Sequence, residues 1–406
     1  MRLLRIVCSG YPLFKESETI DLIASQRVTE EDSDQMTPLF SNIYQNNVIA
    51  LIGINASGKT IVLNMVSFVL NLLSANQINN AGVRDVLSVM TDEDRLKLEV
   101  FFYDDGNVND LSVEIGVDNK SKERRYVILH ENLKSKSAKK VKYKKTLFDF
   151  TKYDSEVNRD NNEAYLRDDI SIMIAYNKEH SCRIDYKDLS DITDDNRLEV
   201  EAEFPSSLLR MLDPSVEYLR YEKKGLKKDI RLKFHKQKEE IILSNERELN
   251  LYLSSGTIKG LTVYMVAIDI FKNGGVLLLD EMENHFNREL VATLIRLFQN
   301  NKINKNGAIL VFSTHYPSLL DEFDRNDNTY IIRNEDGISI ENLASRFTRN
   351  DIKKSVAYES NYLDGTAPSY EAYMDFKRFL REEIQMYDHV SDVRKGEYTL
   401  LDLLKD

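Results

Sequence analysis

The segment from Gly53 to Thr60 carries the residue types that bind the phosphates of a nucleotide. It fits the pattern G-x-x-x-x-G-K-[ST], in which backbone N–H groups and a helix N-terminus surround the phosphates. In that pattern Lys59 neutralises the β- and γ-phosphate oxygens, and the Thr60 hydroxyl binds Mg²⁺. Glycine is needed where φ is positive and where a side chain would collide with phosphate. The segment predicts ATP and Mg²⁺ as cofactors, and the binding residues are Asn55, Ala56, Ser57, Gly58, Lys59 and Thr60.

Two adjacent carboxylates follow the apolar run Val276–Leu279. Such a run is typical of a buried strand, which would deliver both acids to one edge of a sheet. Asp280 suits a role in holding Mg²⁺ through water, together with Thr60, and Glu281 can polarise the attacking water as a catalytic residue. The alternative is a strand that ends in solvated acids.

A further apolar strand, Ala308–Phe312, leads to Thr314 and His315. A histidine at that place can contact the γ-phosphate and sense its loss, so His315 is predicted as a second catalytic residue. The alternative is an ordinary histidine of the surface or the core.

The segment Leu253–Gly260 reads Leu-Ser-Ser-Gly-Thr-Ile-Lys-Gly and resembles the signature of ABC-type ATPases. There Ser254, Ser255 and Gly256 would begin a helix and bind the γ-phosphate of a nucleotide held by a second copy. A plain helix cap is the alternative. From the order of the four segments we expect a head-to-tail homodimer or a higher oligomer, whose opening and closing is coupled to hydrolysis.

The elements that must position these segments indicate an α/β fold. A loop is predicted over 24–46, and a hairpin turns through Asp104-Asp105-Gly106-Asn107. The predicted strands are Leu3–Val7, Glu18–Leu22, Asn47–Ile52, Leu96–Tyr103, Leu111–Gly116, Gly275–Leu279 and Ala308–Phe312, and the predicted helices are Ile61–Leu73, Asn287–Phe298 and one near Ser369–Met386.

The chain is expected to divide into an interrupted core and two additions. Residues 1–116 and 246–345 form the core, with the phosphate loop in the first part and the other three segments in the second. Residues 117–245 are rich in charged residues and show no strong hydrophobic periodicity. They are predicted to be an inserted lid, mostly helical beyond 205. Residues 346–406 are predicted to be a helical extension.

Charge is unevenly distributed along a chain whose net charge is -12. Residues 120–145 hold eleven Lys and Arg against two Glu, and residues 223–238 hold eight against one Asp. A protein with a net negative charge repels nucleic acid, so any contact with nucleic acid would be local to these two lysine windows. The alternative is the solvated face of a lid.

The composition also bears on the compartment. No apolar run approaches the roughly 18 to 20 residues of a membrane span, and the start is too short for a signal peptide. We therefore expect a cytoplasmic protein without a membrane partner. Cys8 and Cys182 lie far apart with no Cys/His cluster, which argues against a disulfide framework and a structural zinc site.

Residues 1–116 and 245–350 resemble the AAA15 group of ABC-type ATPases, relatives of the OLD, RecF and SMC proteins. The resemblance rests on the Gly53–Thr60 loop, close to G-x-N-x-S-G-K-[ST], and on the run Asp280-Glu281-Met282-Glu283-Asn284. The later segments 351–355 and 365–368 are similar to those of abortive-infection and other phage-defence ATPases. The resemblance implies an ABC-type, RecF/SMC-like P-loop ATPase head with a charged insertion and a C-terminal helical extension.

Two departures from the family pattern leave roles unassigned. The usual D-loop is replaced by residues 283–287, and no convincing Q-loop glutamine is present, because Gln77 is predicted on a helix and Gln237 in the basic insertion.

The resemblance implies a regulatory ATPase in anti-phage defence. Only 91 residues follow His315, which is short for an appended nuclease, so the effector, a nuclease or toxin, is expected to be a separate protein. The alternative is a RecF- or SMC-like DNA-binding repair clamp that uses the two lysine windows. A transporter subunit is disfavoured by the long insertion, and ATP could also act mainly as an assembly staple with slow turnover.

Overall fold

A computed structural model of the chain describes residues 1–118, 124–159, 166–190, 198, 203–224, 227–284, 286–347, 353–360, 362–363, 365–366 and 370–384. The chain divides into two compact units, Met1–Val356 and Ala357–Asp406. In the second unit residues 370–384 are helical, which agrees with the helix predicted near Ser369–Met386 over its described part. The four segments predicted to form the nucleotide site all lie in the first unit.

Strands predominate in the described part of the chain. In chain order they are β1 Arg2–Ser9, β2 Glu18–Asp21, β3 Met36–Phe40, β4 Ile43–Asn46, β5 Val48–Ile52, β6 Leu96–Asp104, β7 Asn107–Asp118, β8 Arg125–Ser137, β9 Ser155–Asn158, β10 Tyr186–Asp188, β11 Val216–Lys224, β12 Lys227–Phe234, β13 Ile241–Leu243, β14 Val276–Leu279, β15 Ile309–Thr314, β16 Thr329–Asn334 and β17 Ile338–Asn342. The α-helices are α1 Glu30–Ser33, α2 Lys59–Leu73, α3 Met173–His180, α4 Ser206–Leu212, α5 Ser255–Asn273, α6 Arg288–Phe298 and α7 Lys354–Glu359.

A mostly parallel sheet runs in the order β10-β14-β15-β5-β16-β17. Its neighbours pair in parallel except β16 and β17. Strands β5, β14 and β15 are buried over their whole length, which explains why they are apolar runs without alternation. Because parallel strands end at the same edge, the segments that follow these three strands meet there. The sequence prediction of the three strands is confirmed.

An antiparallel sheet, in the order β2-β1-β6-β7-β8-β9, faces the parallel sheet across helix α2. The predicted hairpin is confirmed as β6 and β7, and one hydrophobic core contains residues of both sheets and of α2. Leu63 and Leu70 are buried on one side of the helix, and Phe68 and Leu72 are buried on the opposite side. A helix whose apolar residues cover most of its circumference is expected between two layers.

The loop predicted for residues 24–46 is wrong. The segment contains α1 and the hairpin β3–β4. Its polar residues hid the strands, but two of them are buried and hydrogen-bonded: Gln45 Nε2 donates to the Leu3 carbonyl at 2.8 Å, and Asn46 is 3 % exposed. Polar side chains that satisfy a neighbouring backbone can occupy a strand without an apolar pattern.

The mostly helical insertion beyond residue 205 is also wrong. Among the described residues from 205 to 245 only α4 is helical, and β11, β12 and β13 form an antiparallel sheet. In β12 the buried Ile230 and Leu232 alternate with Arg231 and Lys233, which is the period of a strand. The high charge of the outer face concealed this alternation.

Other parts of the predicted insertion belong to the two large sheets. Strand β8 pairs with β7 over its whole length, β9 pairs with β8, and β10 pairs with β14. Within the described residues, no helix combines the length and apolarity that a bilayer crossing requires.

Candidate functional site

The loop between β5 and α2 has the backbone conformation that its glycine pattern predicts. Gly58 has φ 95°, and Ala56 also takes a positive φ of 61°. Gly53 is required for another reason: a Cβ there would lie 2.5 Å from the Ile332 carbonyl oxygen of β16 and 2.2 Å from Ser57 Oγ. The first glycine therefore packs the loop against β16, whereas we had expected phosphate to impose the constraint.

Lys59 is the first residue of α2, and its side chain contacts the start of the loop. Its Nζ donates to the carbonyl oxygens of Gly53 at 3.0 Å and Ile54 at 3.1 Å. Burial lowers the pKa of Lys59, while the nearby carboxylates of Glu281, Asp280 and Glu283 act in the opposite direction. The ammonium group thus lies at the start of α2 within the field of all three acids.

Thr60 and Asp280 come together although they are far apart in the chain. Thr60 Oγ1 donates to Asp280 Oδ2 at 2.6 Å, and the other carboxylate oxygen of Asp280 accepts a hydrogen bond from Ser313 Oγ of β15. A hydroxyl and a carboxylate in contact are the protein ligands that Mg²⁺ uses beside nucleotide phosphates. No group of three or more His, Cys, Asp or Glu side chains in the described residues could hold a metal by itself.

The loop also fits a bound phosphate chain. No side chain caps the amino end of α2, so the N–H groups of its first turn have no partner within the helix. Ser57 Oγ is buried and has no hydrogen-bond partner among the described residues. Unsatisfied donors around a helix N-terminus are the features that bind phosphate. The predicted residues from Asn55 to Thr60 all lie in this cradle.

Glu281 takes a strained conformation directly after β14. Its φ is 43°, which is uncommon for a residue with a side chain. Its N–H donates to Ser313 Oγ at 2.9 Å, the same hydroxyl that donates to Asp280. One buried serine of the neighbouring strand therefore fixes both acids, and the sequence analysis missed it.

His315 follows β15 and is oriented by Glu283. Glu283 Oε1 accepts a hydrogen bond from the His315 backbone N–H at 2.6 Å. The same oxygen lies 3.0 Å from the ring Nδ1, although the angle does not make that contact a hydrogen bond. The Glu283 side chain is buried, and the His315 ring is half-buried and packs edge-on against Tyr316. The sequence analysis quoted Glu283 only as part of a motif and gave it no role.

The predicted signature segment is not joined to the other three. Ser254 is the N-cap of α5: its Oγ accepts from the Thr257 N–H at 3.1 Å. Ser254 and Ser255 are exposed, and Gly256 is half-buried. Within the described part of the chain, none of these three residues makes a hydrogen bond to the phosphate loop. Ser254 thus caps α5, and the role of Ser254, Ser255 and Gly256 toward a second copy stays a prediction.

Gly260 allows α5 to pack closely against α4. A Cβ at this position would lie 2.7 Å from a methyl group of Leu212. The small sheet β11–β13 and α4 therefore form one lobe with the start of α5, and this lobe carries the signature segment.

Three lysines of the first lysine window have structural roles. Lys136 is buried, and its Nζ donates to the carbonyl oxygens of Thr146 and Asp149. Lys144 donates to the Gln26 carbonyl oxygen at 2.8 Å, and Lys140 pairs with Asp154. Lys120 and Lys122 lie outside the described residues. Side chains engaged in this way are not free to follow a phosphate backbone.

The second window is partly neutralised as well. Arg231 pairs with Glu222 and Glu240, and Lys233 donates to two carbonyl oxygens of its own turn. The side chains of 223–228 lie outside the described part.

Gln77 is not on a helix, because α2 ends at Leu73, and Gln237 lies in the connection between β12 and β13. Of the replaced D-loop, His285 is outside the described residues.

Comparison with family models identifies the chain. Residues 48–321 match the AAA_21 family, described as "AAA domain, putative AbiEii toxin, Type IV TA system". The match covers more than half of the chain, including all four segments discussed above, and the chain belongs to this family. The comparison with curated proteins gave no match.

Proposed function

We propose that this chain is an ATPase that binds ATP and Mg²⁺ between two copies of itself and regulates a separate effector in abortive infection. The observation that carries the ATPase part is the chain of contacts Thr60–Asp280–Ser313–Glu281, which unites the ends of three strand-linked segments. The family membership supports the link to abortive infection. The finer resemblance to AAA15-type, RecF/SMC-like heads is part of the proposal.

The residues divide the chemistry among them. When bound, Mg²⁺ and the nucleotide supply a polarised γ-phosphoryl group for attack by water. Lys59 and the first turn of α2 orient the phosphates, and Thr60 with Asp280 hold the metal. Glu281 positions and polarises water, and His315, oriented by Glu283, contacts the γ-phosphate end.

The position of the signature supports a shared site. Helix α5 has 19 residues, about 28 Å of helix, whereas β14 has four residues, about 13 Å of strand. The two glycines Gly274 and Gly275 reverse the chain between them, both with positive φ. The start of α5 is therefore expected to extend about 15 Å past the sheet edge where Asp280 lies. That distance suits contact with the nucleotide of a second copy better than with its own.

Glu281→Gln tests the catalytic assignment. The variant keeps the shape of the side chain but loses its charge, so we expect nucleotide binding to persist, hydrolysis to fall about 100-fold or more, and the ATP-bound dimer to accumulate. Binding, phosphate release and light scattering measure the three effects. Unchanged turnover would remove Glu281 from the catalytic role.

Mixing two inactive variants tests the shared site. Lys59→Ala disables the phosphate loop and Gly256→Trp blocks the signature, and each is expected to be inactive alone. A mixed dimer contains one intact composite site, so the mixture should regain up to about a quarter of the wild-type rate. Recovery is impossible if each chain completes its own site, and an inactive mixture of correctly folded variants would reject the shared arrangement.

A DNA clamp is less well supported, because Lys136, Lys140, Lys144, Arg231 and Lys233 are engaged within the protein. Salt-sensitive binding of a DNA duplex at low salt would revive this alternative.

The regulatory role is tested by copurification with the products of neighbouring genes. We expect a nuclease or toxin that is released on ATP turnover.

A further inference from the structure

A cavity of about 450 Å³ lies between helix α3 and strand β9, and no residue of the phosphate loop lines it. We refer to it as the β9–α3 groove. Its apolar part comprises Leu133, Val157, Leu166, Ile172, Ala175 and Tyr176. A volume of this size exceeds that of any single side chain and falls in the range of sites that bind ligands.

Strand β9 forms one edge of the antiparallel sheet and pairs only with β8 among the described residues. By strand geometry, two of its four residues direct their N–H and C=O groups away from β8. The opposite edge is covered, since the Tyr330 hydroxyl bonds both the N–H and the carbonyl of Asp21 in β2. Strand β9 carries neither Pro nor Lys; its one apolar residue, Val157, is 44 % exposed, and its one charged residue, Glu156, accepts hydrogen bonds from Asn132 and Tyr153. An exposed edge without Pro or Lys favours addition of another strand.

The side chains that face the groove lie in two rows across the sheet. One row is apolar and runs from Leu111 through Leu133 to Val157. The other is polar and runs from Asn109 through Ser135 to Ser155, and Ser135 Oγ donates to Asn109 Oδ1 at 2.6 Å. A strand added beside β9 would extend each row by one residue. Its inward side chains, two positions apart, would be one apolar and one small and polar.

The charges around the groove select against phosphate ligands. Asp154 and Glu179 lie on its rim, and within the described part of the chain no Lys or Arg lines it. Asp154 is partly neutralised by Lys140, whereas Glu179 is exposed on α3. A nucleic acid or nucleotide would be repelled, and a basic residue beside the inserted segment would be attracted.

We propose that the β9–α3 groove binds an extended segment of a partner protein, which adds as a seventh strand beside β9. The backbone of β9 provides the hydrogen bonds, and the space under α3 receives alternate side chains of the segment, a recognition mode known from other sheet edges. This site stands apart from the nucleotide chemistry, and its existence does not depend on ATP hydrolysis.

The probe is a phage-displayed library of random nonapeptides, selected on the full-length wild-type protein. Selected peptides are then synthesised and titrated against two variants of adjacent exposed residues on α3. Ala175→Trp fills the groove, because Ala175 lines it, and Ile174→Trp adds the same side chain outside the groove. Unfolding temperature and nucleotide binding of both variants are measured, so that loss of folding or of the nucleotide site is recognised separately.

We expect enriched peptides with an apolar and a small polar residue two positions apart, whose affinity falls about tenfold or more in Ala175→Trp and stays unchanged in Ile174→Trp. Methylation of alternate peptide N–H groups should weaken binding in one frame only, and hydrogen exchange should slow at β9 amides. Peptides that bind both variants equally, or tolerate methylation in both frames, would overturn the proposal. The proposal would also be overturned if no peptide were enriched on the wild-type protein relative to the Ala175→Trp protein.

Discussion

Replacing Ser313 by alanine should separate the two acids of the site from the strand that holds them. Ser313 is fully buried, and its hydroxyl both donates to Asp280 and accepts from the Glu281 N–H. A hydrogen bond to a charged group contributes about 1.5 to 3 kcal/mol, and a neutral one about 0.5 to 1.5 kcal/mol. Ser313→Ala should therefore lower the free energy of unfolding by about 2 to 4.5 kcal/mol.

The catalytic effect follows from the strain at Glu281. A side-chain-bearing residue with positive φ costs about 1 to 3 kcal/mol, and the Ser313 hydroxyl helps to offset that cost. Without it, Glu281 should relax away from the conformation that aims its carboxylate at water. If the relaxed state is favoured by about 1.4 to 2.8 kcal/mol, kcat falls about 10- to 100-fold.

Steady-state hydrolysis, nucleotide binding and denaturant unfolding measure these effects on one preparation. Thr314→Val is the matched control, because it removes the neighbouring hydroxyl of the same strand. That hydroxyl accepts a hydrogen bond from the Tyr316 N–H. The control should lose stability but keep most of its kcat. A Ser313→Ala protein with wild-type kcat would refute the argument that this hydroxyl positions Glu281.

Two other variants test the remaining geometry. Glu283→Gln keeps an acceptor for the His315 N–H but removes the charge beside its ring, so kcat should fall about tenfold while nucleotide affinity changes little; equal loss of affinity and kcat would contradict an orienting role. Asp110→Asn should raise the free energy of unfolding at pH 7 to 8 by about 2 to 3 kcal/mol, because burial raises the pKa of this carboxyl to about 6. The folded state then resists ionisation, so the gain should shrink as pH falls from about 6 to 4. A pH-independent difference in denaturant unfolding would reject this cause.

The parts of the site that could be predicted from the sequence are those in which the functional residues and the elements that position them are contiguous in the chain. The strand β5, the loop Gly53–Thr60 and helix α2 are contiguous, and their pattern combines apolar residues, glycines and a 3.6-residue period. The same holds for β14 with Asp280 and Glu281. In such segments the strand and the functional residues follow one another directly in the chain, so the order of residue types suffices.

The strands that were missed have a different physical cause. In β4, β11 and β12 the outward or hydrogen-bonded positions are occupied by charged and amide side chains, which mask a period of two. Arg231 shows the effect: it lies between two buried apolar residues but pairs with Glu222 and Glu240, which come from different parts of the chain. The ion pairs that make this charge compatible with a strand exist only after the sheet has formed.

Ser313 and Glu283 could not be identified because their roles depend on contacts across the sheet. Ser313 lies 33 residues from Asp280, and Glu283 lies 32 residues from His315. Each contact joins the ends of β14 and β15, which pair in parallel register. The parallel pairing of these strands predicts both contacts. A small hydroxyl residue near the end of β15 faces the acids after β14, and an acid after β14 faces the histidine after β15. The reciprocal pattern makes this strand pair a single unit that sets the positions of Asp280, Glu281 and His315 together.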